Sequence, residues 1–318
     1  MSSELPPLAD SPAPLVERGL GDEASRRPAD TVQLTAVIGY PLAHSISPRF
    51  QQPAFNHLGL SVRYVARETP PEELPAFLTE LRGPQWLGVN VTVPHKEAVA
   101  AVVDELSTEA RLIGAVNTVR KAGDRLIGHN TDAAGFLRGL TDAACGPQGV
   151  AALILGAGGA ARAVAVALLQ AGARHVTVAN RTVSRAERLV ATLSTSFDAA
   201  RLAASPLQAE AVQPALQGAD LVVNTTTVGM AHGPAADASP LDTPLMTTLP
   251  SRALIYDLVY NPAETPLLQV ARAQGYRTQG GLPMLIYQGA ASFELWTGQP
   301  APVELMMAHG RQAMAERE

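Results

Sequence analysis

The sequence predicts an α/β protein of two domains, and three observations support this fold class. The chain is 318 residues long, which is long for a single hydrophobic core. Hydrophobic residues make up 47% and charged residues 17% of it, so enough apolar side chain is present to bury sizeable cores. Short apolar runs alternate with helical patterns along most of the chain, which is typical of mostly parallel sheets covered by helices.

The first series of elements follows a segment, residues 1–31, that is rich in proline, serine and acidic residues. We expect this segment to be a mobile N-terminal extension. Strands are then predicted at residues 34–38, 62–66, 88–93, 115–119 and 126–127. Helices are predicted from residue 48, from residue 72, over residues 97–106 and after residue 132. This layout predicts a three-layer α/β domain.

A second series begins near residue 133. Its β-rich runs are residues 150–155, 176–179, 221–224 and 254–258, and alanine-rich helical stretches separate them. That arrangement is typical of a doubly wound dinucleotide-binding domain, the Rossmann fold. The last stretch, residues 282–315, has a helical pattern and is expected to pack back on the first domain.

Charge and composition favour a small-molecule substrate over a macromolecular partner. The formal net charge is −5, and no basic run marks a surface for nucleic acid or an anionic membrane. The single cysteine, Cys145, has no second thiol to pair with, and no metal site is predicted. No signal peptide is apparent, so a cytoplasmic protein, monomeric or homodimeric, is expected.

A glycine turn marks the expected nucleotide site. The apolar run at residues 150–155 leads into Gly156, Ala157, Gly158, Gly159 and Ala160, and a strongly helical stretch follows. Between a strand and a helix, this G-x-G-x-x-A pattern lets a pyrophosphate approach the backbone and the helix N-terminus. Taken alone, the turn could equally be a simple connection between strand and helix.

The end of the next predicted strand favours NADP over NAD. An acidic residue about 20 positions after the glycine turn would bind the ribose 2′-hydroxyl of NAD. This chain instead has Asn180, Arg181, Thr182 and Arg185 there, and arginine pairs with a 2′-phosphate that an acid would repel. For Arg185 alone, an incidental position on a solvated helix start is the alternative.

Lys96 is the candidate acid or base. Of the 24 Lys plus Arg residues, only Lys96 and Lys121 are lysine, and a lysine, unlike an arginine, can exchange a proton near neutral pH. Lys121 precedes an apparent hairpin turn and is expected to be exposed. Lys96 follows a strand on which Asn90 and Thr92 share one face, opposite Val89, Val91 and Val93, as in a cleft wall. Asn90 and Thr92 could instead satisfy nearby backbone groups.

Further polar side chains stand at the edges of predicted elements. Ser47 before Pro48 and Asp132 before Ala133 can be explained as helix N-caps, whereas Ser45 and Asn117 have no such explanation. Several short hydrogen-bonding side chains suit a polyhydroxylated ring, and a lysine beside an aspartate can pass a proton to a forming hydroxyl. The set therefore predicts reduction of a ketone on such a ring.

These residues and their order resemble the shikimate dehydrogenase family over nearly all of residues 34–304. The resemblance is carried by the following motifs, in this order: Ser45-x-Ser47-Pro48, Asn90-Val91-Thr92-Val93-Pro94-x-Lys96, Gly114-Ala115-Val116-Asn117-Thr118, Asn130-Thr131-Asp132, Gly156-x-Gly158-Gly159-Ala160-x-Arg162, Asn180-Arg181-Thr182, Tyr256-Asp257-x-x-Tyr260-x-Pro262, and Gly281-Leu282-x-Met284-Leu285-x-x-Gln288. The chain departs from the family pattern at Ala133, at His95 and at Thr225-Thr226-Thr227.

The resemblance implies a role for each group of residues. Lys96 and Asp132 would form the proton-transfer pair of a reversible, NADPH-dependent reduction of 3-dehydroshikimate to shikimate, a step of chorismate and aromatic amino acid biosynthesis. Substrate would be held by Ser45, Ser47, Asn90, Thr92, Asn117, Asp132, Tyr260 and Gln288. Cofactor contacts would include Thr225, Val259 and Gly281 beside the turn. The substrate-binding domain would comprise residues 32–132 plus 282–318, and the NADP-binding domain residues 133–281.

Two alternatives remain open from the sequence. A quinate or aminoshikimate dehydrogenase of the same superfamily would carry a changed substrate serine or an acid near Asn180, and neither is present. A non-catalytic NADPH-binding regulator would keep the nucleotide site without the chemistry. The retention of Lys96 in a chain with only two lysines favours an enzyme.

Overall fold

The computed structural model describes residues 32–42 and 45–317, and their strands form two six-stranded sheets. The predicted extension, residues 1–31, lies outside the described residues. Within the described part of the chain, no helix is long and apolar enough to cross a lipid bilayer.

The first sheet is built from the N-terminal part of the described chain. The elements are β1 Gln33–Gly39, α1 Ser47–His57, β2 Val62–Glu68, α2 Leu74–Glu80, β3 Trp86–Val91, α3 Lys96–Ala100, β4 Glu105–Leu106, α4 Thr108–Ile113, β5 Thr118–Ala122, β6 Arg125–His129 and α5 Asp132–Asp142. The strand order is β2-β1-β3-β5-β6-β4. β5 is antiparallel to both its neighbours and the other pairs are parallel. A turn at Gly123 with φ +65° reverses the chain between β5 and β6.

The predicted helix over residues 97–106 is wrong beyond Ala100. The helix α3 ends there, and residues 105 and 106 pair with β6 as the short strand β4. Asp104 holds this segment in place, since its Oδ2 accepts a hydrogen bond from the backbone N–H of Leu126 at 2.6 Å. The partner lies 22 residues further along the chain, so nothing in the local helical pattern indicates it.

Two predicted strands of the first sheet are displaced along the chain. β3 begins and ends two residues before the predicted strand, and β5 begins and ends three residues after its own. Val93 therefore lies beyond the strand and is 60% exposed, whereas Val89 and Val91 are buried as predicted. Thr92 also lies outside the strand, so it does not continue the face that carries Asn90.

The second sheet is doubly wound, as predicted. Its strands and helices are β7 Ala151–Leu155, α6 Gly159–Gln170, β8 His175–Asn180, α7 Val183–Leu193, β9 Leu202–Pro206, α8 Ala209–Gln217, β10 Leu221–Asn224, α9 Thr243–Met246, β11 Leu254–Asp257, α10 Pro266–Ala273 and β12 Arg277–Gln279. The order is β12-β11-β10-β7-β8-β9 and each pair is parallel. β9 and β12, at the two edges, are not among the predicted strands.

Helices cover both faces of each sheet. On the second sheet, alternate residues of β7 face opposite cores: Ala152 and Ile154 pack in the core with α5, α6 and α7, while Leu153 and Leu155 pack in the core with α8, α9 and α10. Burial on both faces explains the near-continuous apolar runs of these strands. Cores on both faces of the first sheet give the predicted three layers.

The C-terminal stretch forms two helices, α11 Leu282–Thr297 and α12 Val303–Ala315. Gly298 ends α11 with φ +66°, which breaks the single helical stretch expected from the sequence. α11 lies directly against α5, because a Cβ on Gly135 would stand 2.8 Å from the backbone N of Gln288. This close approach brings Gln288 to the start of α5, where Asp132 lies.

Candidate active site

Lys96 and Asp132 form a partly buried ion pair. Lys96 is the first residue of α3 and Asp132 the first residue of α5, and Lys96 Nζ lies 2.5 Å from Asp132 Oδ2. Their side chains are 16% and 6% exposed. Opposite charges at this distance, shielded from water, hold each other far more firmly than a surface pair does. The two residues that the sequence predicts as a proton-transfer pair therefore lie in contact.

Asn117 bonds to both Asp132 and Gln288. Asn117 Nδ2 donates to Asp132 Oδ1 at 2.8 Å and to Gln288 Oε1 at 3.2 Å. The alternative explanation of Asp132 as a helix N-cap is wrong, because Thr131 occupies the N-cap position and the Asp132 carboxylate bonds to side chains instead.

Asn90 lies deeper in the same cluster. Its Oδ1 accepts a hydrogen bond from the Tyr64 hydroxyl at 2.7 Å, and its Nδ2 donates to Ser292 Oγ at 2.9 Å and to Thr118 Oγ1 at 3.2 Å. The sequence analysis did not assign Tyr64, Ser292 or Thr118 to the site. Ser292 follows Gln288 by four residues on α11, and that helical spacing is the one sequence signal that could have identified it.

The two serines lie at the start of α1. Ser45 Oγ accepts a hydrogen bond from the backbone N–H of Ser47 at 3.3 Å, so Ser45 has a local structural role that the sequence analysis did not find. Ser47 is inside the helix and Ile46 is the N-cap residue, which makes the N-cap explanation of Ser47 wrong. Ser47 is buried and contacts the hydroxyl of Tyr64, whose pKa is raised by burial.

Tyr260 lies near the start of α1, and Thr92 lies beside the end of β1. Burial raises the pKa of Tyr260, and its hydroxyl meets the backbone of Ile46, between the two serines. The Thr92 methyl packs against Gly39, where a Cβ would come within 2.4 Å of it. His95, which departs from the family pattern, is buried with Nε2 2.7 Å from the carbonyl oxygen of Thr69, so it supports the loop and does not enter the polar cluster.

The glycine turn lies between β7 and α6, at the point where the strand order of the second sheet reverses. Gly156 has φ +109°, a conformation that favours glycine, and a Cβ there would stand 2.6 Å from Thr225 Oγ1 at the end of β10. A Cβ on Gly158 would meet nothing within 4 Å, so the helix N-terminus opens onto free space. Ligands of doubly wound sheets bind in this crevice.

The turn directly adjoins the ion pair. A Cβ on Gly159 would lie 3.3 Å from Cδ of Lys96 and 3.8 Å from Cβ of Ala115. The stem of Lys96 therefore packs against the first residue of α6. A group bound at this helix N-terminus would lie close to the lysine and aspartate.

The basic residues predicted for the cofactor follow β8. Arg181, Thr182 and Arg185 lie at the start of α7, and Arg181 is exposed. Asn180 Nδ2 donates to the carbonyl oxygen of Thr182 at 2.9 Å, which fixes the bend that leads into α7. Arg181 and Arg185 thus follow the carboxyl end of β8, the strand that pairs with β7 before the glycine turn.

Val259 and Gly281 meet beyond the end of β11. The Gly281 N–H donates to the Val259 carbonyl at 3.2 Å, and a Cβ on Gly281 would stand 2.2 Å from the Leu258 carbonyl oxygen. Only glycine allows this approach. The three remaining residues predicted to contact the cofactor, Val259, Gly281 and Thr225, therefore lie at the carboxyl end of the second sheet.

A buried carboxylate, Asp257, ties these loops together. Its Oδ1 accepts hydrogen bonds from Asn224 Nδ2 at 2.9 Å and from the Val259 N–H at 3.0 Å, and its Oδ2 accepts one from the Thr265 hydroxyl at 2.6 Å. Burial raises the pKa of Asp257 from 3.8 to about 6, against the opposing effect of these donors. The sequence analysis quoted Asp257 only as part of a motif.

Asp257 should make stability depend on pH. Because its pKa is raised on folding, the native state holds the proton more tightly than the unfolded chain does. The resulting stabilisation is present below about pH 4 and is lost as the pH rises through about 6, a change on the order of 1 to 3 kcal/mol. Asp257→Asn has no proton to lose at this position. Its free energy of unfolding, relative to that of wild type, should therefore rise between about pH 4 and pH 7.

Urea unfolding at several pH values measures this difference directly. Asp237→Asn is the matched control, since it removes an exposed carboxylate and leaves the buried one in place. If the free energies of unfolding of Asp257→Asn and wild type differ by the same amount at every pH, the raised pKa of Asp257 is contradicted.

The fold and site together define a two-domain α/β protein in which a Rossmann-type glycine turn adjoins a lysine–aspartate pair. Family models match three segments: the shikimate dehydrogenase substrate binding domain at residues 37–119, shikimate/quinate 5-dehydrogenase at residues 144–232, and the shikimate 5′-dehydrogenase C-terminal domain at residues 281–309. The chain belongs to the shikimate dehydrogenase family.

Individual relatives agree over most of their length. A shikimate dehydrogenase (NADP(+)) from Methanopyrus kandleri is 44% identical over 284 residues, which cover 89% of this chain and 95% of the relative. One from Moorella thermoacetica is 45% identical over 88% of this chain and 93% of its own. The crystal structure of shikimate 5-dehydrogenase from Thermus thermophilus in complex with NADP(H) and shikimate has a TM-score of 0.78 at 43% identity, covering 88% of this chain and 99% of that one.

Proposed function

We propose that this protein is an NADP-dependent shikimate dehydrogenase that reversibly reduces 3-dehydroshikimate to shikimate in chorismate biosynthesis. The observation that carries the proposal is the Lys96–Asp132 ion pair, held by Asn117 and packed against the glycine turn. The relatives named above carry the same activity in their names.

The residues at the carboxyl end of the second sheet fit NADP. The open space over Gly158 and the 12-residue helix α6 suit a pyrophosphate, because the free N–H groups and the helix dipole favour an anion. No side chain caps this helix start. Arg181 and Arg185, with no acid beside them in the sequence, suit a 2′-phosphate. The cofactor would be held by Gly156, Ala157, Gly158, Gly159, Ala160, Asn180, Arg181, Thr182, Arg185, Thr225, Val259 and Gly281.

NADPH, when bound, supplies the hydride that adds to the ketone carbon of the substrate. Lys96 donates a proton from Nζ to the ketone oxygen as its charge develops, and Asp132 holds the ammonium group in place. After transfer the amine regains a proton from solvent. In the reverse direction, the neutral amine removes the hydroxyl proton, and Asp132 stabilises the ammonium that forms.

The remaining polar side chains would hold the ring. Asn117 bonds to Asp132, Gln288 bonds to Asn117, and Asn90 lies deeper in the same cluster. Their amides would offer donors and acceptors to ring hydroxyls. Ser45, Ser47, Thr92 and Tyr260 lie at the neighbouring strand and helix ends, and hydroxyl donors there suit a carboxylate. Such positioning lowers the barrier because it fixes the reacting atoms before the chemical step.

The test is the change in reduced-nicotinamide absorbance with purified protein, shikimate and either NADP or NAD, repeated with quinate and with aminoshikimate. Reduction of NADP with shikimate in clear preference to the other acids is the expected result. Faster turnover of quinate or aminoshikimate would favour the related dehydrogenases instead. Tight NADPH binding without turnover of any of these acids would favour the non-catalytic regulator and contradict the proposed activity.

We further propose the finer points of organisation. The division into residues 32–132 plus 282–318 and residues 133–281 is supported by the two separate sheets. The protein is also proposed to be a cytoplasmic monomer or homodimer. That it has no nucleic-acid or membrane partner is supported by the net charge of −5 and the absence of basic runs in the sequence. Light scattering of the purified protein would measure the oligomeric state.

A further inference from the structure

A group of buried hydroxyls lies behind the ion pair, and the reaction proposed above does not use it. Thr118 on β5 and Ser292 on α11 are both 0% exposed, and Tyr64 on β2 is 4% exposed. Since no solvent reaches Thr118 or Ser292, neither can touch a substrate in the cleft. Their contacts run instead toward the residues that hold Asp132.

The chain of contacts begins at Tyr64. Burial raises the pKa of its phenol, so the group stays protonated and donates to Asn90 Oδ1 at 2.7 Å. That donor fixes the orientation of the Asn90 amide, and Nδ2 then points at Thr118 Oγ1 and Ser292 Oγ. An amide nitrogen can only donate, so both hydroxyls must accept from it.

With one assignment of protons, the three shortest contacts of the Thr118 hydroxyl are all hydrogen bonds. Its Oγ1 lies 3.2 Å from Asn90 Nδ2, 2.7 Å from Ser292 Oγ and 3.0 Å from Asn117 Oδ1. The amide oxygen of Asn117 can only accept, so the single Thr118 proton goes there. In this arrangement Ser292 donates to Thr118 at 2.7 Å, the shorter contact, and not to the Gln288 carbonyl oxygen 2.9 Å away. That carbonyl keeps its backbone hydrogen bond within α11.

The Thr118 hydroxyl is one of the donors that hold the Asn117 amide in its orientation, since it donates to Asn117 Oδ1 at 3.0 Å. Asn117 Oδ1 also accepts from the backbone N–H of Thr131 at 2.8 Å, and these two donors turn Nδ2 toward Asp132 Oδ1 at 2.8 Å. The opposite orientation would place an amide oxygen against the carboxylate. All donors in the series Tyr64, Asn90, Thr118 and Asn117 therefore fit a single orientation of the amide that bonds to Asp132.

We propose that Thr118 is a positioning residue whose hydroxyl, through Asn117, orients the Asp132 carboxylate that holds Lys96 for proton transfer. This inference rests on the proposed function, since it concerns the proton-transfer step of that reaction. Thr118 itself never touches the substrate. Its removal therefore acts through Asn117, and first on the geometry of the acid.

The experiment compares Thr118→Val, which removes only the hydroxyl, with Thr118→Ser, which keeps it. Thr35→Val is the matched control: Thr35 is a 0% exposed threonine of the same sheet, on β1, whose hydroxyl has no hydrogen-bond partner among the described residues. Rates are expressed per NADPH-binding site, titrated by cofactor fluorescence, so that unfolded protein does not count.

Thr118→Val should lower kcat for 3-dehydroshikimate about 10- to 100-fold and change KM by a clearly smaller factor, because the reacting groups are misplaced. The solvent isotope effect on kcat should increase, since proton transfer becomes slower relative to the other steps. Thr118→Ser should stay within about threefold of wild type, and Thr35→Val should match wild type in every parameter.

Three outcomes would overturn the role of Thr118 alone, given an active wild type. They are an unchanged kcat in Thr118→Val, an equal loss in Thr118→Val and Thr118→Ser, and a loss of kcat without change in the isotope effect, which would indicate a purely structural defect. A wild-type protein that binds NADPH and turns over no acid would overturn the proposed function and, with it, this role.

Discussion

Lys96→Met is expected to lower kcat by about 10²- to 10⁴-fold, the range that a positioned acid or base contributes. Methionine keeps most of the length of the side chain, so packing of the stem against Gly159 persists while the ammonium group is lost. NADPH affinity should change by less than about threefold, because the proposed role lies in the transition state. Steady-state kinetics and cofactor fluorescence measure the two quantities.

Lys121→Met is the matched control for this prediction. Lys121 is the other lysine of the chain and lies on β5 beside the turn at Gly123, away from the ion pair. The control should retain wild-type kcat. Equal losses of kcat and of NADPH affinity in Lys96→Met would refute the assignment of Lys96 as the proton donor.

Arg181→Ala is expected to weaken NADPH binding about 10- to 100-fold, as the loss of a hydrogen-bonded charge pair would predict. Binding of NADH, which lacks the 2′-phosphate, should change by less than about threefold. Arg181 is exposed and follows β8, at the sheet edge that carries the glycine turn. Fluorescence titration with both cofactors gives the ratio directly.

Arg188→Ala tests whether the effect is specific. Arg188 is also exposed and lies further along α7, so its replacement removes the same charge without removing the proposed contact. It should leave the preference for NADPH over NADH unchanged. The 2′-phosphate role fails if Arg181→Ala weakens both cofactors equally.

Prediction from sequence succeeds best for the second sheet. The central strands β7, β8, β10 and β11 are short apolar runs bounded by turn residues, and burial on both faces removes any ambiguity about which side chains face the core. The glycine turn is a local signal as well, because the conformation of Gly156 is a property of that residue and its neighbours.

Prediction is poorer where partners are remote. The strands β4, β9 and β12 exist because other strands pair with them. β4 and β12 have too few residues to show a period of two, and β9 has small residues and a proline after Leu202 in place of an apolar run. The same reason explains the error over residues 97–106, where Asp104 turns the chain toward β6.

The candidate site shows the same contrast between local sequence signals and remote partners. Sequence alone determined that Lys96 and Asn117 are polar residues without a local structural explanation, and that the crevice carries arginines and no acid. Only the tertiary structure decided that Lys96 meets Asp132, 36 residues away, and that Ser292 reaches Asn90 across 202 residues. Local chemistry is written in short windows of sequence, whereas the pairing of buried polar groups depends on which elements pack together, and no single window contains both partners.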